Sequence, residues 1–238
     1  MHAILQARSF AWPTALVFCA IALSIGCGRA PDQSQAPSSG ASATASAKSR
    51  RVNWNQLVEQ ARRDEWSRIE SDHPLGDAEL AALAGMTHLR ELVLPKAAAS
   101  DKAADSLGSL SNLGVLVLGD TTITDDGLGT LSRLHALRDL NLNASRVTDR
   151  GLAHLATLPR LELLRLGTSE ITDEGLASAG RITTLRFLIL QNAGITGRGF
   201  KHLHGLKNLE SLYLRGNPLS GEGVADLRRA LPELHPDW

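Results

Sequence analysis

Leu137-Arg138-Asp139-Leu140-Asn141-Leu142 is one copy of a leucine pattern that decides the fold of this 238-residue chain. The Leu-x-x-Leu-x-Leu spacing returns every 24 residues without drift, and its six copies begin at Leu89, Leu113, Leu137, Leu161, Leu185 and Leu209. Alternating leucines indicate a short strand with one buried face. The constant period indicates that one structural unit is stacked repeatedly along the chain.

A helix start signal follows the strand segments at the same period. Thr124-Asp125, Thr148-Asp149 and Thr172-Asp173 each place an acid directly after a hydroxyl side chain that can cap a helix. A glycine, which disfavours helix, recurs two residues after this acid position, at Gly127, Gly151, Gly175, Gly199 and Gly223. We therefore expect a short helix in each repeat, with the glycine at a point where neighbouring coils approach closely.

The leucine pattern and the Thr-Asp-x-Gly-Leu segments together resemble the leucine-rich-repeat family, in particular its bacterial branch related to ribonuclease-inhibitor-like and cysteine-containing repeats. The resemblance covers about residues 75–238. It implies an α/β solenoid, a horseshoe or arc with a parallel β-sheet on the concave side and short helices on the convex side. It also implies a protein-binding surface. Six strands at about 4.8 Å spacing would form a sheet roughly 25 Å long.

The two ends of the repeat domain differ from its middle. Residues 52–74 are predicted to form an N-terminal helical cap, because apolar side chains from Trp54 to Ile69 follow helical spacing. A degenerate strand around Trp66 and Ile69 is the alternative. At the other end we expect Pro232 and Trp238 to close the last open edge of the sheet.

Residues 1–26 are interpreted as a signal peptide. The apolar stretch of residues 15–26 would span roughly 18 Å as a helix, which is short of the roughly 30 Å hydrocarbon core of a membrane. It ends in Leu23-Ser24-Ile25-Gly26-Cys27, which resembles the lipobox of bacterial lipoproteins, although Ser24 stands where leucine is usual. That resemblance implies cleavage before Cys27 and its lipidation. Simple secretion after an ordinary cleavage, and an uncleaved anchor, are the alternatives.

Residues 27–51 are predicted to be the lipidated cysteine followed by a disordered linker. Alanine, serine, proline and glutamine dominate the segment, and large apolar residues are absent from it. Such a composition buries too little apolar surface to offset the entropy of ordering. A linker of this length would reach roughly 25–30 Å.

The composition excludes two classes of function. Lys+Arg and Asp+Glu both number 25, so the chain lacks the basic excess that a sequence-independent nucleic-acid binder needs. Hydrophobic residues make up 43% of the chain, which is too many for a disordered acidic protein. Only 4% of the residues are aromatic, so the core must be aliphatic.

No residues are assigned to catalysis, to a cofactor or to a metal. No nucleophile and base can be paired from their spacing, which argues against an enzyme. His202 and His204 diverge by roughly 200° on a helix and cannot easily share a metal. The acids at the helix starts, such as Asp101 and Asp125, are explained by their helix positions better than by calcium binding.

The predicted binding site lies on the concave face, where the residues between the leucines point away from the core. Several are large and apolar and stand beside polar residues, which favours a binding patch; β-propensity alone is the alternative explanation. The candidate protein-binding residues are Val115, Val117, Asp139, Asn141, Leu163, Arg165, Phe187, Ile189, Gln191 and Tyr213.

The sequence therefore predicts an exported leucine-rich-repeat module, lipid-anchored through Cys27, that binds a protein or peptide through its concave sheet. Its expected place is the cell envelope, facing the periplasm or the exterior, with secretion as the alternative. Its partners are a protein and, through the lipid, a membrane, but not nucleic acid. A secreted host-directed effector, a ubiquitin-ligase-type adaptor and an enzyme inhibitor are the alternative functions.

Overall fold

A computed structural model describes residues 53–167 and 170–238, except for the side chain of Asn143. In this part of the chain, eight parallel strands form one sheet in the order of the sequence. The strands are β1 (Arg68–Glu70), β2 (Glu91–Leu94), β3 (Val115–Leu118), β4 (Asp139–Asn143), β5 (Leu163–Gly167), β6 (Phe187–Ile189), β7 (Ser211–Tyr213) and β8 (His235–Asp237). The predicted parallel sheet is therefore confirmed, with two strands more than the six leucine copies indicated.

The 24-residue period sets the register of the sheet. Leu116 pairs with Leu92 on one side and with Leu140 on the other, and all three side chains are fully buried. Each coil adds one layer of this kind, and the layers join into a single aliphatic core. Phe200 is the one aromatic residue among the fully buried side chains of the described residues, as the low aromatic content led us to expect.

Short helices connect the strands and run along the other side of the core. They are α1 (Trp54–Arg63), α2 (Asp77–Ala81), α3 (Asp101–Leu107), α4 (Asp125–Leu131), α5 (Asp149–Leu155), α6 (Leu176–Ala179), a 3-10 helix (Phe200–Leu203) and α7 (Gly221–Ala230). Thr124 and Thr148 cap α4 and α5 through their side chains, as predicted. The helix start predicted at Thr172 is wrong, because α6 begins only at Leu176, after Gly175 at its N-cap. Alternation of strand and helix around one core is the leucine-rich-repeat solenoid that the sequence indicated.

The N-terminal cap is shorter than the apolar spacing predicted. The helix α1 ends at Arg63, and Ile69 lies in β1, so a helix reaching Ile69 is wrong. The alternative strand is present at Ile69 but does not include Trp66. The cause is β2, whose backbone pairs with residues 68–70 in the repeat register. Two hydrogen bonds tie α1 to the first coil: Trp54 Nε1 donates to the Glu79 carbonyl at 2.7 Å, and Arg62 donates to the Ala82 carbonyl at 2.7 Å.

The C-terminal end is closed by a different proline from the one predicted. His235 N donates to the Glu210 carbonyl and the Asp237 carbonyl accepts from Leu214 N, so both residues use their backbone groups toward β7. The backbone of Pro236 must then face the open edge, where it offers no N–H. Pro232 lies in the preceding turn. Trp238 covers the end of the core, with its ring 6.1 Å from that of Phe200.

No helix within the described residues is long and apolar enough to cross a membrane. The predicted signal peptide of residues 1–26, the predicted lipidation at Cys27 and the predicted linker of residues 27–51 lie outside the residues that the structure describes.

Candidate protein-binding surface

We call the face of the sheet that does not carry the buried leucines the concave face, following the sequence prediction. Two rows of side chains run across its strands. The first row contains Arg68, Glu91, Val115, Asp139, Leu163, Phe187, Ser211 and His235. The second row contains Glu70, Val93, Val117, Asn141, Arg165, Ile189, Tyr213 and Asp237. The register thus brings nine of the ten predicted binding residues into these rows, while Gln191 lies two residues beyond the end of β6.

The predicted residues differ in how far they reach the surface. Five are buried, with these exposed fractions: Leu163 2%, Asn141 5%, Arg165 5%, Val117 8% and Ile189 8%. Strands about 4.8 Å apart bring the side chains of one row close to one another, which contributes to this burial. The other five, Val115, Asp139, Phe187, Gln191 and Tyr213, are half-buried. These half-buried side chains are the part of the predicted patch best placed for a contact.

Apolar side chains occupy both sides of a polar centre. Val115 and Val117 lie on β3, and Phe187 and Ile189 lie on β6. Between them, β4 and β5 contribute Asp139, Asn141 and Arg165 together with Leu163. Apolar contacts flanking a few polar groups combine affinity with specificity, and interfaces commonly have this composition.

Asp139 is the titratable group of this face with the largest change in acidity. Burial and the nearby carboxylates of Glu162 and Glu91 raise the pKa of Asp139 to about 6, against the opposing effect of Arg138 and Arg186. The charge on this carboxyl group therefore changes within the physiological pH range. A cationic side chain of a partner would favour the ionised form.

Two other polar groups at the centre are affected by burial. Burial lowers the pKa of the Arg165 guanidinium, because desolvation disfavours its charged form. The Asn141 Oδ1 atom is buried without a hydrogen-bond partner among the described residues. Such an unpaired buried acceptor costs free energy in the folded state.

A line of alternating charges borders the concave face where the strands begin. This charge ladder consists of Arg138, Glu162, Arg186 and Glu210, each one residue before its strand. Arg138 contacts Glu162 at 2.5 Å and Arg186 contacts Glu210 at 2.6 Å, while Arg186 and Glu162 lie 3.8 Å apart. The sequence prediction missed this ladder, although the signal was present as charged residues at 24-residue spacing.

The acids at the helix starts join neighbouring coils. Asp125 Oδ1 accepts from Thr148 N at 2.9 Å, and its Oδ2 accepts from the Thr148 hydroxyl at 2.7 Å. Asp77, Asp101 and Asp149 make the equivalent pair of bonds to the serine or threonine 23 positions later, and Asp173 accepts both bonds from Thr196 at Oδ2. We call this contact the Asp–Thr clasp, counting Ser100 as its one serine member. The predicted role at the helix start is therefore incomplete, because the carboxylate also holds the next cap.

Three of the recurring glycines, Gly127, Gly151 and Gly175, make room for these clasps. A Cβ atom at Gly151 would overlap Asp125 Oδ1 and lie 2.9 Å from Val147 Cγ1. Gly223 faces the backbone of Gly197 in the preceding coil, with 2.6 Å from a Cβ to the carbonyl oxygen. The close approach between coils that we predicted at these glycines is present.

The described residues do not form a metal-binding site. No three His, Cys, Asp or Glu side chains come together among them in a way that could hold a metal ion. His202 is exposed, and His204 Nε2 lies 3.2 Å from Asp226 Oδ2.

These features define the protein as a leucine-rich-repeat solenoid. A family model described as "Leucine Rich repeat" matches residues 205–227. No curated protein matches the sequence. The similarity to known proteins is therefore seen chiefly in the structure.

Two solved structures from Listeria monocytogenes str. 4b F2365 are similar to this chain. The internalin C2 (inlC2) has 18% identity and a TM-score of 0.53, over 77% of this chain and 92% of its own. The internalin inlF has 23% identity and a TM-score of 0.51, over 66% of this chain and 49% of its own. This chain thus spans about half the length of inlF. At these identities the similarity concerns the fold.

Proposed function

We propose that this protein is a non-enzymatic module that binds a protein or peptide through its concave sheet. The observation that carries the proposal is the pair of side-chain rows, in which apolar residues of β3 and β6 flank the polar residues of β4 and β5. Leucine-rich-repeat proteins generally bind protein partners. The 24-residue Thr-Asp-x-Gly-Leu period supports membership of the bacterial branch related to ribonuclease-inhibitor-like and cysteine-containing repeats.

Phe187 and Tyr213 are the proposed centre of contact. Both are half-buried, and they occupy neighbouring strands in the first and second rows. Arg186 lies over the Phe187 ring, 5.4 Å from its centre, so a cation and an aromatic face are available at one place. Large aromatic side chains beside arginine are common among the residues that dominate binding energy.

The test is a double substitution of this centre, Phe187→Asp with Tyr213→Ala. We expect it to abolish capture of the partner from an envelope extract while the circular dichroism spectrum stays that of the folded protein. The matched control is His202→Asp with Lys201→Ala, which changes two exposed residues on the 3-10 helix. Unchanged capture by the Phe187 and Tyr213 variant would disprove this contact centre.

We also propose that the module is exported and anchored to a membrane through a lipid on Cys27. The apolar stretch of residues 15–26 and the lipobox-like sequence that ends at Cys27 support this proposal. The following 24 residues, rich in alanine and serine, would hold the solenoid away from the membrane surface.

The two cysteines of the chain offer a matched test of the anchor. Natively expressed protein should have the mass of an acylated chain that starts at Cys27, and it should enter the detergent phase. Cys27→Ser should abolish both properties, whereas Cys19→Ser, inside the predicted leader, should leave them unchanged. An unmodified mass in the wild-type protein would refute the lipid anchor without affecting the proposed binding surface.

A further inference from the structure

The charge ladder presents its four side chains to solvent along the end of the sheet where the strands begin. Their exposed fractions are 54% for Arg138, 26% for Glu162, 40% for Arg186 and 48% for Glu210. Consecutive members belong to neighbouring strands, which are about 4.8 Å apart. From β4 to β7 the charges of the ladder are positive, negative, positive and negative.

The ion pairs within the chain leave binding capacity on each member of the ladder. A guanidinium carries five N–H donors, and a carboxylate has about four acceptor positions. Arg138 has one carboxylate partner in the described residues, Glu162, and Glu210 has one cationic partner, Arg186. The two ends of the ladder can therefore accept further partners of opposite charge.

This order of charges is complementary to itself. If a two-fold axis passes between Glu162 and Arg186, Glu162 faces Arg186 of a second copy, and Arg138 faces Glu210 of that copy. Every facing pair then has opposite charges, as an interface between identical surfaces requires. We propose that the charge ladder is a self-association surface, at which a second copy of this chain docks across a two-fold axis.

The surroundings of the ladder fit this occupant. A groove of about 740 Å³ lies beside the ladder, and its charged and titratable lining residues are Glu162, Arg186, Lys207, Glu210, Glu233 and His235. The Arg138 side chain of a second copy would point toward Glu210, beside Glu233 in this groove. The chain has 25 basic and 25 acidic residues, so net charge does not hold two copies apart.

The expected dimer is weak and sensitive to salt. Exposed ion pairs each contribute little, and salt screens them, so a contact made mainly of these pairs forms a transient interface. The ladder lies beside the concave rows and does not use Phe187 or Tyr213, but it shares Arg186 with the proposed contact centre. The Glu162→Arg with Glu210→Arg variant keeps Arg186, Phe187 and Tyr213, so it separates loss of self-association from loss of the proposed partner binding.

The decisive experiment uses two charge-uniform variants of the full chain. Glu162→Arg with Glu210→Arg makes the ladder all positive, and Arg138→Glu with Arg186→Glu makes it all negative. In sedimentation equilibrium from about 1 µM to about 1 mM, the wild-type protein should form dimers, and each variant alone should dimerise at least tenfold more weakly. An equimolar mixture of the two variants should recover dimers, because every facing pair again has opposite charges.

Matched controls carry the same change in charge away from the ladder. They are Glu174→Arg with Glu222→Arg, and Arg150→Glu with Arg198→Glu, all at exposed positions, and both should dimerise like the wild-type protein. A wild-type protein that stays monomeric, or a mixture that stays monomeric, would overturn the proposal. If a ladder variant does not fold, the wild-type salt series decides: dimerisation that is equal at about 0.05 M and about 0.5 M NaCl contradicts an electrostatic interface.

Discussion

The Asp–Thr clasp joins each coil to the next at the level of single residues. Thr148 caps its own helix through its hydroxyl and also donates that hydroxyl to Asp125 of the preceding coil. Asp125 in turn begins α4, where an acid is favoured by the helix dipole. This pair of side chains thus serves two helices and the stacking of two coils.

Removing one clasp should destabilise the fold by about 2 kcal/mol. We expect this for Asp125→Ala, because two hydrogen bonds to a charged group are lost and the Thr148 N–H loses its acceptor. Urea denaturation measures the change in the free energy of unfolding. Asp126→Ala is the control, since Asp126 is exposed in the same helix turn, and it should cost at most about 0.5 kcal/mol. Equal losses in the two variants would rule out the clasp as the cause.

Replacing Gly151, the glycine beside the clasp, with alanine should destabilise the fold. Gly151→Ala places its Cβ on Asp125 Oδ1, so the carboxylate must leave Thr148, and we expect destabilisation of about 2 kcal/mol. Gly129→Ala, also within a helix, has its nearest neighbour 3.6 Å away and should be neutral or stabilising by up to about 1 kcal/mol. Thermal melts of the two variants provide the comparison. A Gly151 variant as stable as the Gly129 variant would contradict the close approach.

Asp139 should make stability depend on pH. Its pKa is raised to about 6, so the folded state holds the proton more tightly than the unfolded state, and stability falls as pH rises from about 4 to about 6. The loss levels off as the pH passes through the folded pKa and is constant above about pH 7. Asp139→Asn should therefore stabilise the protein by on the order of 2 kcal/mol at pH 8 and by less at pH 4.5. Urea denaturation at both pH values tests this, and a gain that does not depend on pH would contradict the raised pKa.

At this scale the sequence predicted which residues recur but not which residues they contact. The threonine caps and the tight glycines follow from local helix rules, and both are present. The clasp joins residues 23 positions apart, and the charge ladder joins residues 24 positions apart. Both depend on the register of stacked coils, which local rules do not supply.

Among the elements, the two edge strands limit the sheet in different ways. The edge at β1 carries the charged side chains of Arg68 and Glu70, and charge discourages pairing with another strand. The edge at β8 carries Pro236, whose missing N–H interrupts the row of donors. Each end of the solenoid is thus protected by residues that the repeat pattern does not specify.

Replacing the edge proline should expose β8 to pairing between molecules. Pro236→Thr restores an N–H and adds a residue with high β-propensity, so we expect faster concentration-dependent aggregation in light scattering. Pro232→Thr, in the exposed turn before β8, is the matched control and should behave like the wild-type protein. Indistinguishable scattering from both variants would mean that Pro236 does not protect the edge.

The central elements were predictable from the sequence, whereas the terminal ones were only partly so. Leucines such as Leu116 and Leu140 fix both strand and register, because a shift would turn them to solvent. The terminal strands β1 and β8 lack this pattern, and in β8 a proline, Pro236, takes the position equivalent to Leu212. These strands form because the neighbouring strand offers unpaired backbone groups. This is a tertiary effect, and the periodicity of the sequence does not reveal it.

At the scale of the whole molecule, the fold gives the protein one continuous sheet face with residues contributed by every strand. The sequence predicted which side chains belong to this face, since alternation and register determine it. It did not predict their burial: Leu163 and Arg165 are almost fully covered, while Phe187 and Tyr213 are not. Exposure depends on packing among neighbouring side chains, which cannot be read from a sequence pattern.

The most direct test of the central proposal is photo-crosslinking in living cells. A photoreactive phenylalanine analogue replaces Tyr213 on the concave face or, in the control, Lys201 on the exposed 3-10 helix. We expect Tyr213 to yield a discrete crosslinked product with another protein, which Phe187→Asp abolishes and which Lys201 does not give. Absence of a product at Tyr213, or the same product from both positions, would contradict binding through the concave sheet.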